Sequence, residues 1–185
     1  IIIDLGVAPY AAYQIGINVN AFAFMPVFGL SIAVTTIVGQ SLGRQDFRGA
    51  GIYAFESNIV GIAFITAMGA ANWMFASSMA SIFTKDAEVI GIAIGMIGLF
   101  AAINPFLGVM NVSSSVLRAA GDIAYVTWTA LVGLWAFRIG VALLAIKVLG
   151  WGLNGVMAGI AADFVVRSTM YGLRVAAGRW KHLKV

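Results

Sequence analysis

Long apolar runs separated by short polar breaks set the strongest limit on what this chain can fold into. The first run, 11–39, is apolar apart from three amides and some small hydroxyls. Its 29 residues would extend about 44 Å as a helix, enough to cross a hydrocarbon core of about 30 Å with tilt. We therefore predict an all-α integral membrane protein, a single transmembrane bundle over 1–185. Its approximate spans are 11–39, 50–76, 89–119, 123–148 and 154–176, and the residues before them are expected to end a sixth helix.

The composition excludes several classes of protein. Hydrophobic residues make up 62% of the chain and charged residues 10%, whereas a soluble domain averages about 25% charged. The net charge is +4, but the basic residues lie between apolar spans. This placement is typical of membrane proteins and does not predict a nucleic-acid surface. There is no cysteine, and His182 is the single histidine, so a metal centre or a catalytic triad is not expected. Phosphate-binding glycine loops and other enzyme motifs are also absent, and we predict that the protein is not an enzyme.

The distribution of lysine and arginine predicts the orientation in the membrane. Alternate connections place seven basic residues on one side and two, Lys85 and Lys147, on the other. Basic residues favour the cytoplasmic side. The loop from Arg44 to Arg48 and the C-terminus are therefore expected to be cytoplasmic, in a plasma membrane such as the bacterial inner membrane. The seven are Arg44, Arg48, Arg118, Arg174, Arg179, Lys181 and Lys184.

Polar and aromatic side chains inside two spans are candidates for lining a substrate cavity. Gln14 and Asn18 are four residues apart, and Phe22 and Met25 continue the same helical face. Asn104 and Asn111 share a face of a later span. Buried amides are costly in lipid unless they are satisfied, so both sets should point inward. Hydrogen bonding between helices and the lining of a cavity explain them equally well at this stage.

Charged residues also occur inside the spans. Asp163 and Arg167 are spaced to neutralise each other on one helix. Arg138 lies in the middle of its span, and pairing with Asp163 or with backbone carbonyls explains it better than contact with a substrate. We assign no role to Asp4 or Glu56.

Small residues recur at the spacing that lets transmembrane helices approach closely. Close packing, not chemistry, is the expected role of these glycines: Gly91, Gly95, Gly98, Gly155 and Gly159.

Three sequence segments, in this order, resemble the multidrug and toxic compound extrusion (MATE) family. AAYQIGINVNAFAFMPVFGLSIAVTTIVGQSLGRQDFRGA resembles a helix that joins a basic loop through a VGQ-x-x-G turn. SSVLRAAGD resembles the L-R-x-x-G-D turn of that family, and the region from Trp135-x-x-Arg138 through GLNGV to the final Gly-Arg-Trp resembles its last hairpin. The resemblance covers nearly the whole chain. It implies helices seven to twelve, with most of the seventh missing.

The resemblance implies one six-helix lobe, the C-terminal one, of a twelve-helix, two-lobe antiporter that lacks its N-terminal lobe here. Such proteins are secondary active transporters, which export amphipathic drugs and organic cations in exchange for H⁺ or Na⁺ by alternating access. No cofactor is implied. The coupling-ion site is expected outside this chain, with Asp163 as the exception, because most of the seventh helix is absent and the tenth offers Asn104 and Asn111 in place of carboxylates. The implied partners are membrane lipid and the N-terminal lobe.

Two alternatives stay open. A lipid-linked oligosaccharide flippase of the same superfamily would need a strongly cationic cavity, which only Arg138 and Arg167 could supply. A non-transporting membrane subunit, which merely anchors a partner, would be favoured if the polar faces pointed to lipid or were used entirely in helix packing.

Overall fold

Helices account for almost all of residues 6–182, the part of the chain that the computed structural model describes. Within this part there are six helices and a final 3₁₀ turn, Arg179–His182. The all-α prediction is therefore confirmed. The helices are α1 (Val7–Gly43), α2 (Phe47–Met74), α3 (Ala76–Phe83), α4 (Ala87–Ala119), α5 (Ile123–Lys147) and α6 (Gly152–Ala176).

Four of these helices are long and apolar enough to cross a membrane: α1, α2, α4 and α5. The fifth predicted span, 154–176, forms α6. It has 25 residues, about 38 Å of helix, but carries Asp163, Arg167 and Arg174. Its length suffices for a crossing, and the crossing itself stays a prediction.

The turn between α1 and α2 comes later in the chain than the VGQ-x-x-G motif suggested. Residues 39–43 still belong to α1, and the chain reverses at 44–46, where Gln45 adopts a positive φ of 61°. Asp46 then starts α2, and its carboxylate accepts a hydrogen bond from the Gly49 amide at 2.8 Å. A carboxylate at this position satisfies one of the free N–H groups of a helix start. The motif therefore ends a helix, and the basic loop forms the turn.

Helix α4 is the centre of the bundle, since α1, α2 and α6 all pack against it. Buried apolar residues form one cluster near the start of α4 and another near its end. The first cluster includes Val19, Phe100 and Ile160, and the second includes Val38, Val116 and Trp180. Helices α1, α2 and α6 thus bury their inner faces against α4.

One short helix was not predicted. We expected the residues after 76 to form a polar connection, but α3 occupies Ala76–Phe83. Ala76 and Ala80, four residues apart, are buried against the bundle, whereas Ile82 is 80% exposed. The buried face of Ala76 and Ala80 stabilises this short helix although it contains serines.

The middle of α5, Gly133–Val141, is π-helical. A π segment widens the helix by one residue per turn and occurs often at functional sites. Here it contains Arg138 and faces α6.

Candidate functional site

The four cavity candidates of α1 lie together on an exposed surface of the bundle, which we call the α1 face: Gln14, Asn18, Phe22 and Met25. Phe22 is 58% exposed and Met25 is 71% exposed. The Gln14 amide donates to the Tyr10 hydroxyl at 2.9 Å, and the Asn18 amide donates to the Gln14 carbonyl at 2.8 Å. These bonds stay within α1.

The amide oxygens of Gln14 and Asn18 accept no hydrogen bond from any residue between 6 and 182. Polar groups left free in hydrocarbon are costly, and water or protein normally satisfies them. Since α1 is an apolar membrane helix, its exposed amides need a polar surrounding that this part of the bundle does not provide.

Asn104 lies elsewhere, inside the bundle. Asn104 is 1% exposed, and neither its side-chain nitrogen nor its side-chain oxygen has a hydrogen-bond partner within the described chain. Its Nδ2 lies close to Gly69, where a Cβ would be only 2.5 Å away. It borders a gap between α1, α2 and α4 that is too narrow for a water molecule, and Asn20 and Asn72 also line this gap. None of the α1-face residues lines this gap.

Asn111 is half-buried, two turns farther along α4. Its side-chain amide donates to the Leu107 backbone carbonyl at 2.8 Å. Its backbone carbonyl accepts hydrogen bonds from the hydroxyl groups of Ser114 and Ser115. The gap beside Asn104 does not reach Asn111. The two asparagines share a helix but not this gap.

The structure brings together the three charged residues predicted inside the spans. Asp163 is fully buried and accepts a hydrogen bond from the Arg167 guanidinium one turn later on α6. The Arg138 guanidinium of α5 lies 3.9 Å from the same carboxylate oxygen. One carboxylate thus faces two guanidinium groups, and the cluster of Arg138, Asp163 and Arg167 carries a net charge of +1.

Two glycines make room for this charge cluster. A Cβ at Gly133 of α5 would collide with the Asp163 carboxylate and the Arg167 stem. A Cβ at Gly159 of α6 would collide with the Arg138 carbonyl. The Asp163 Oδ1 and Arg167 Nε atoms still have no hydrogen-bond partner within the described residues. The cluster therefore depends on close contact between α5 and α6.

Sequence reasoning missed a second ion pair, at the predicted cytoplasmic end. Arg174 donates to Asp122 at 2.9 Å, and its guanidinium lies 4.8 Å from the centre of the Tyr125 ring. The Tyr125 hydroxyl donates to the Met170 carbonyl at 3.1 Å. Asp122 and Arg174 are 52 residues apart, and the only signal for the pair was their shared side of the membrane. These contacts link the start of α5 to the end of α6.

The remaining acidic residues add no metal site. Glu56 is exposed on α2, and Asp4 lies outside the described residues. Among residues 6–182 there is no group of three histidine, cysteine, aspartate or glutamate side chains that could hold a metal ion.

Comparison with known proteins gives a consistent set of relatives. The family profile described as MatE matches residues 1–144. A probable multidrug resistance protein NorM of Thermotoga maritima is 31% identical over 184 residues, covering 98% of this chain and 39% of its own length. The multidrug resistance protein NorM of Vibrio cholerae is 27% identical over 140 residues, covering 75% of this chain and 30% of its own. The chain thus spans less than two fifths of the length of these relatives.

The fold has a solved counterpart. The crystal structure of the eukaryotic MATE transporter AtDTX14 superposes with a TM-score of 0.85 at 19% sequence identity. The match covers 92% of this chain and 38% of that one. The bundle of α1 to α6 is therefore the same arrangement of helices as part of that transporter.

Proposed function

The chain belongs to the MATE family of membrane transporters, not to a family of enzymes, and from that premise we propose that it forms the C-terminal lobe of a drug exporter. The proposed activity is secondary active efflux of organic cations and other amphipathic compounds, driven by entry of H⁺ or Na⁺. The N-terminal lobe of the same transporter would be the partner of this bundle. The names of the NorM relatives, which describe multidrug resistance, support this class of substrate.

The α1 face is the observation that carries the proposal. It exposes two free amide oxygens, a phenyl ring and a thioether on an otherwise apolar helix. A flat organic cation gains from contact with an aromatic ring and with a polarisable sulfur, and the amide oxygens can accept its hydrogen bonds. The same face would border the second lobe. Substrate bound between the lobes would then contact Gln14, Asn18, Phe22 and Met25.

Alternating access needs a lobe that moves as one body. Helix α4 holds α1, α2 and α6 together, and the ion pairs of Asp163 and Asp122 link α5 to α6. Rocking of such a bundle against its partner would expose the α1 face to each side of the membrane in turn.

The coupling ion is expected to bind outside this lobe. Helix α4 carries asparagines at 104 and 111, and neither can release a proton. Asp163 already faces two guanidinium groups, whose positive charges repel a cation. We therefore propose that the ion site uses carboxylates of the other lobe.

The two alternatives have less support. A flippase for lipid-linked sugars would need Arg138 and Arg167 free to hold a pyrophosphate, yet both face Asp163. A subunit that only anchors a partner would use the α1 face for packing, and a dye-export experiment separates it from an exporter.

Replacing Gln14 by leucine is expected to lower efflux of a flat cationic dye several-fold, because it removes an amide from the α1 face. Phe22→Ala should act in the same direction through the loss of its ring. The measurement is dye export from vesicles of the complete transporter, with H⁺ and Na⁺ gradients imposed separately and the membrane level of each variant quantified. Trp128→Ala, at a 69% exposed residue of α5, is the control and should export normally. Normal export by both α1 variants would refute the proposal that the α1 face lines a substrate cavity.

Asn104→Leu tests whether the buried amide serves transport. Leucine has the same branched shape and removes two buried polar atoms that lack partners within the described residues. This gain should offset the cost of its larger volume, so the fold should be kept. We expect efflux to fall while the melting temperature does not. Normal efflux by this variant would leave Asn104 with a packing role alone.

The proposed orientation predicts one-sided labelling of introduced cysteines, since this chain has none of its own. Gly43→Cys, at the exposed end of α1, should react with a charged maleimide only from the cytoplasmic side. Ala87→Cys, at the exposed start of α4, should react only from the outside. Labelling of intact cells and of inverted vesicles distinguishes the two. The reverse pattern would overturn the orientation.

A further inference from the structure

A cleft of about 390 Å³ opens at the basic end of the bundle, between α2, α4, α6 and the 3₁₀ turn. Its walls are mostly apolar and include Phe55, Ile62, Val109 and Val175. None of its lining residues comes from α1. It is therefore separate from the α1 face proposed for substrate.

The uncharged polar side chains of this cleft, Asn58 and Ser113, are already satisfied within the bundle. The Ser113 hydroxyl donates to the side-chain amide oxygen of Asn58 at 3.0 Å, and the Asn58 side-chain nitrogen donates to the Ala54 backbone carbonyl at 2.8 Å. A ligand inside the cleft thus meets few polar groups that still need a partner. The interior fits a hydrocarbon chain.

The mouth of the cleft, in contrast, is cationic. The Lys181 ammonium lies directly against Gly51, where even a methyl group would collide with it, and 5.6 Å from the centre of the Trp180 ring. Trp180 is 1% exposed and donates to the Val175 carbonyl at 2.9 Å, so it holds the turn in place. Within residues 6–182, the Lys181 ammonium makes no hydrogen bond or ion pair. None of these residues neutralises its charge, which a ligand could do.

A second basic residue lies one helical turn from the mouth. Arg48 is exposed and stands one turn before Gly51 on the same side of α2. The nearby carboxylate of Asp46 accepts a hydrogen bond from the Gly49 amide. The mouth of the cleft therefore has a positive balance at the level where the membrane orientation places lipid headgroups.

We propose that this cleft binds an anionic phospholipid, with an acyl chain against Phe55 and Val109 and the headgroup phosphate on Lys181. A buried tryptophan beside an ammonium at the end of an apolar cleft matches the chemistry of such a lipid, apolar below and anionic above. The level of the headgroup rests on the proposed orientation, but the binding itself does not depend on transport. Bound lipid would tie the C-terminal turn to α2.

The test is native mass spectrometry of the complete protein in mild detergent, titrated with phosphatidylglycerol or phosphatidylcholine. We expect preferential retention of phosphatidylglycerol. Lys181→Gln should reduce that preference about five- to ten-fold, the loss expected for one charge-assisted contact at an interface. The exposed Lys147→Gln, at the other end of the bundle, is the matched control and should keep the preference.

Gly172→Leu tests the hydrocarbon part of the site. A Cβ at Gly172 would meet Val109 at an ordinary 3.5 Å, so the longer side chain can enter the cleft without a backbone clash. It should weaken retention of both lipids, with the melting temperature checking the fold. Equal lipid preference in the native protein and in Lys181→Gln would overturn the proposal. Displacement of the lipid by millimolar inorganic phosphate would also overturn it, because it would show a surface phosphate site without an acyl chain. Normal efflux with no lipid preference would refute this site and leave the transport proposal intact.

Discussion

Replacing Asp163 by asparagine is expected to lower the free energy of unfolding by about 3 kcal/mol, because it leaves buried charge without a partner. The Arg167 side chain is only 16% exposed and would keep its charge beside a neutral amide. Arg138, at 3.9 Å from the same carboxylate, would then repel it. Loss of monodisperse protein on heating in detergent, followed by size-exclusion chromatography, measures the effect.

A double-mutant cycle separates the charge from the change of shape. Arg167→Gln alone should be milder, since Arg138 remains to face Asp163. Asp163→Asn combined with Arg167→Gln should destabilise by at least about 1 kcal/mol less than the two single changes together. Asp86→Asn at the exposed start of α4 is the control, because asparagine caps a helix as well as aspartate does. Additive effects would show that the ion pair contributes nothing.

The same variant also tests where the ion binds. If Asp163 only neutralises arginines, the Asp163→Asn protein that still folds should export dye with the native dependence on H⁺ or Na⁺ gradients. Loss of that dependence, with export otherwise retained, would place the coupling site at Asp163 and refute the proposal that it lies in the other lobe.

Part of this cluster could be predicted from the sequence and part could not. The spacing of Asp163 and Arg167 puts them on one helical face whatever the tertiary structure. Pairing of Arg138 with Asp163 was one of the explanations that the sequence allowed, but choosing it over backbone carbonyls depends on how α5 packs against α6, which no local pattern contains. The π-helical turn around Arg138 belongs to the same contact. The pair of Asp122 and Arg174 was missed for this reason as well.

The long helices were predictable because apolar runs bounded by polar breaks have one stable form in lipid. The short helix α3 was not, since Ser77 and Ser78 suggest a loop and its stability comes from burying Ala76 and Ala80. The α1 face was predicted as a pattern of residues. Its exposure is a fact of the structure, and its role in binding remains a proposal.

Glycine spacing shows the limit of pattern reasoning most clearly. Gly91, Gly95, Gly98, Gly155 and Gly159 all repeat at intervals of three or four residues, which predicts close helix packing for each. In the structure, a Cβ added at Gly91 or Gly95 would have no atom of another helix within 4 Å. Gly155 and Gly159 lie against α5. The spacing alone cannot distinguish glycines that pack against another helix from glycines that face open space, because this depends on where the partner helix lies.

Gly159→Ala is expected to destabilise the protein by about 2 kcal/mol, the usual cost of forcing extra volume into a packed contact. The new methyl group would collide with the Arg138 carbonyl and stand 2.9 Å from the Ala142 Cβ and 3.1 Å from the Ala142 nitrogen. Two of these three atoms belong to the backbone and cannot rotate away. Helix α6 would have to move from α5, which would also separate Arg138 from Asp163. A lower melting temperature in detergent is the measurement.

Gly95→Ala makes the same chemical change at an open site and should have the opposite sign. Alanine favours a helix over glycine by about 1 kcal/mol, and here nothing opposes that gain. The two variants therefore share the helix propensity and differ only in the neighbouring helix. If both raised the melting temperature, the contact between α5 and α6 would have to be looser than the structure shows, and Arg138 would no longer be held beside Asp163. If only Gly159→Ala lowers it, the close approach of these two helices is what positions the buried charges.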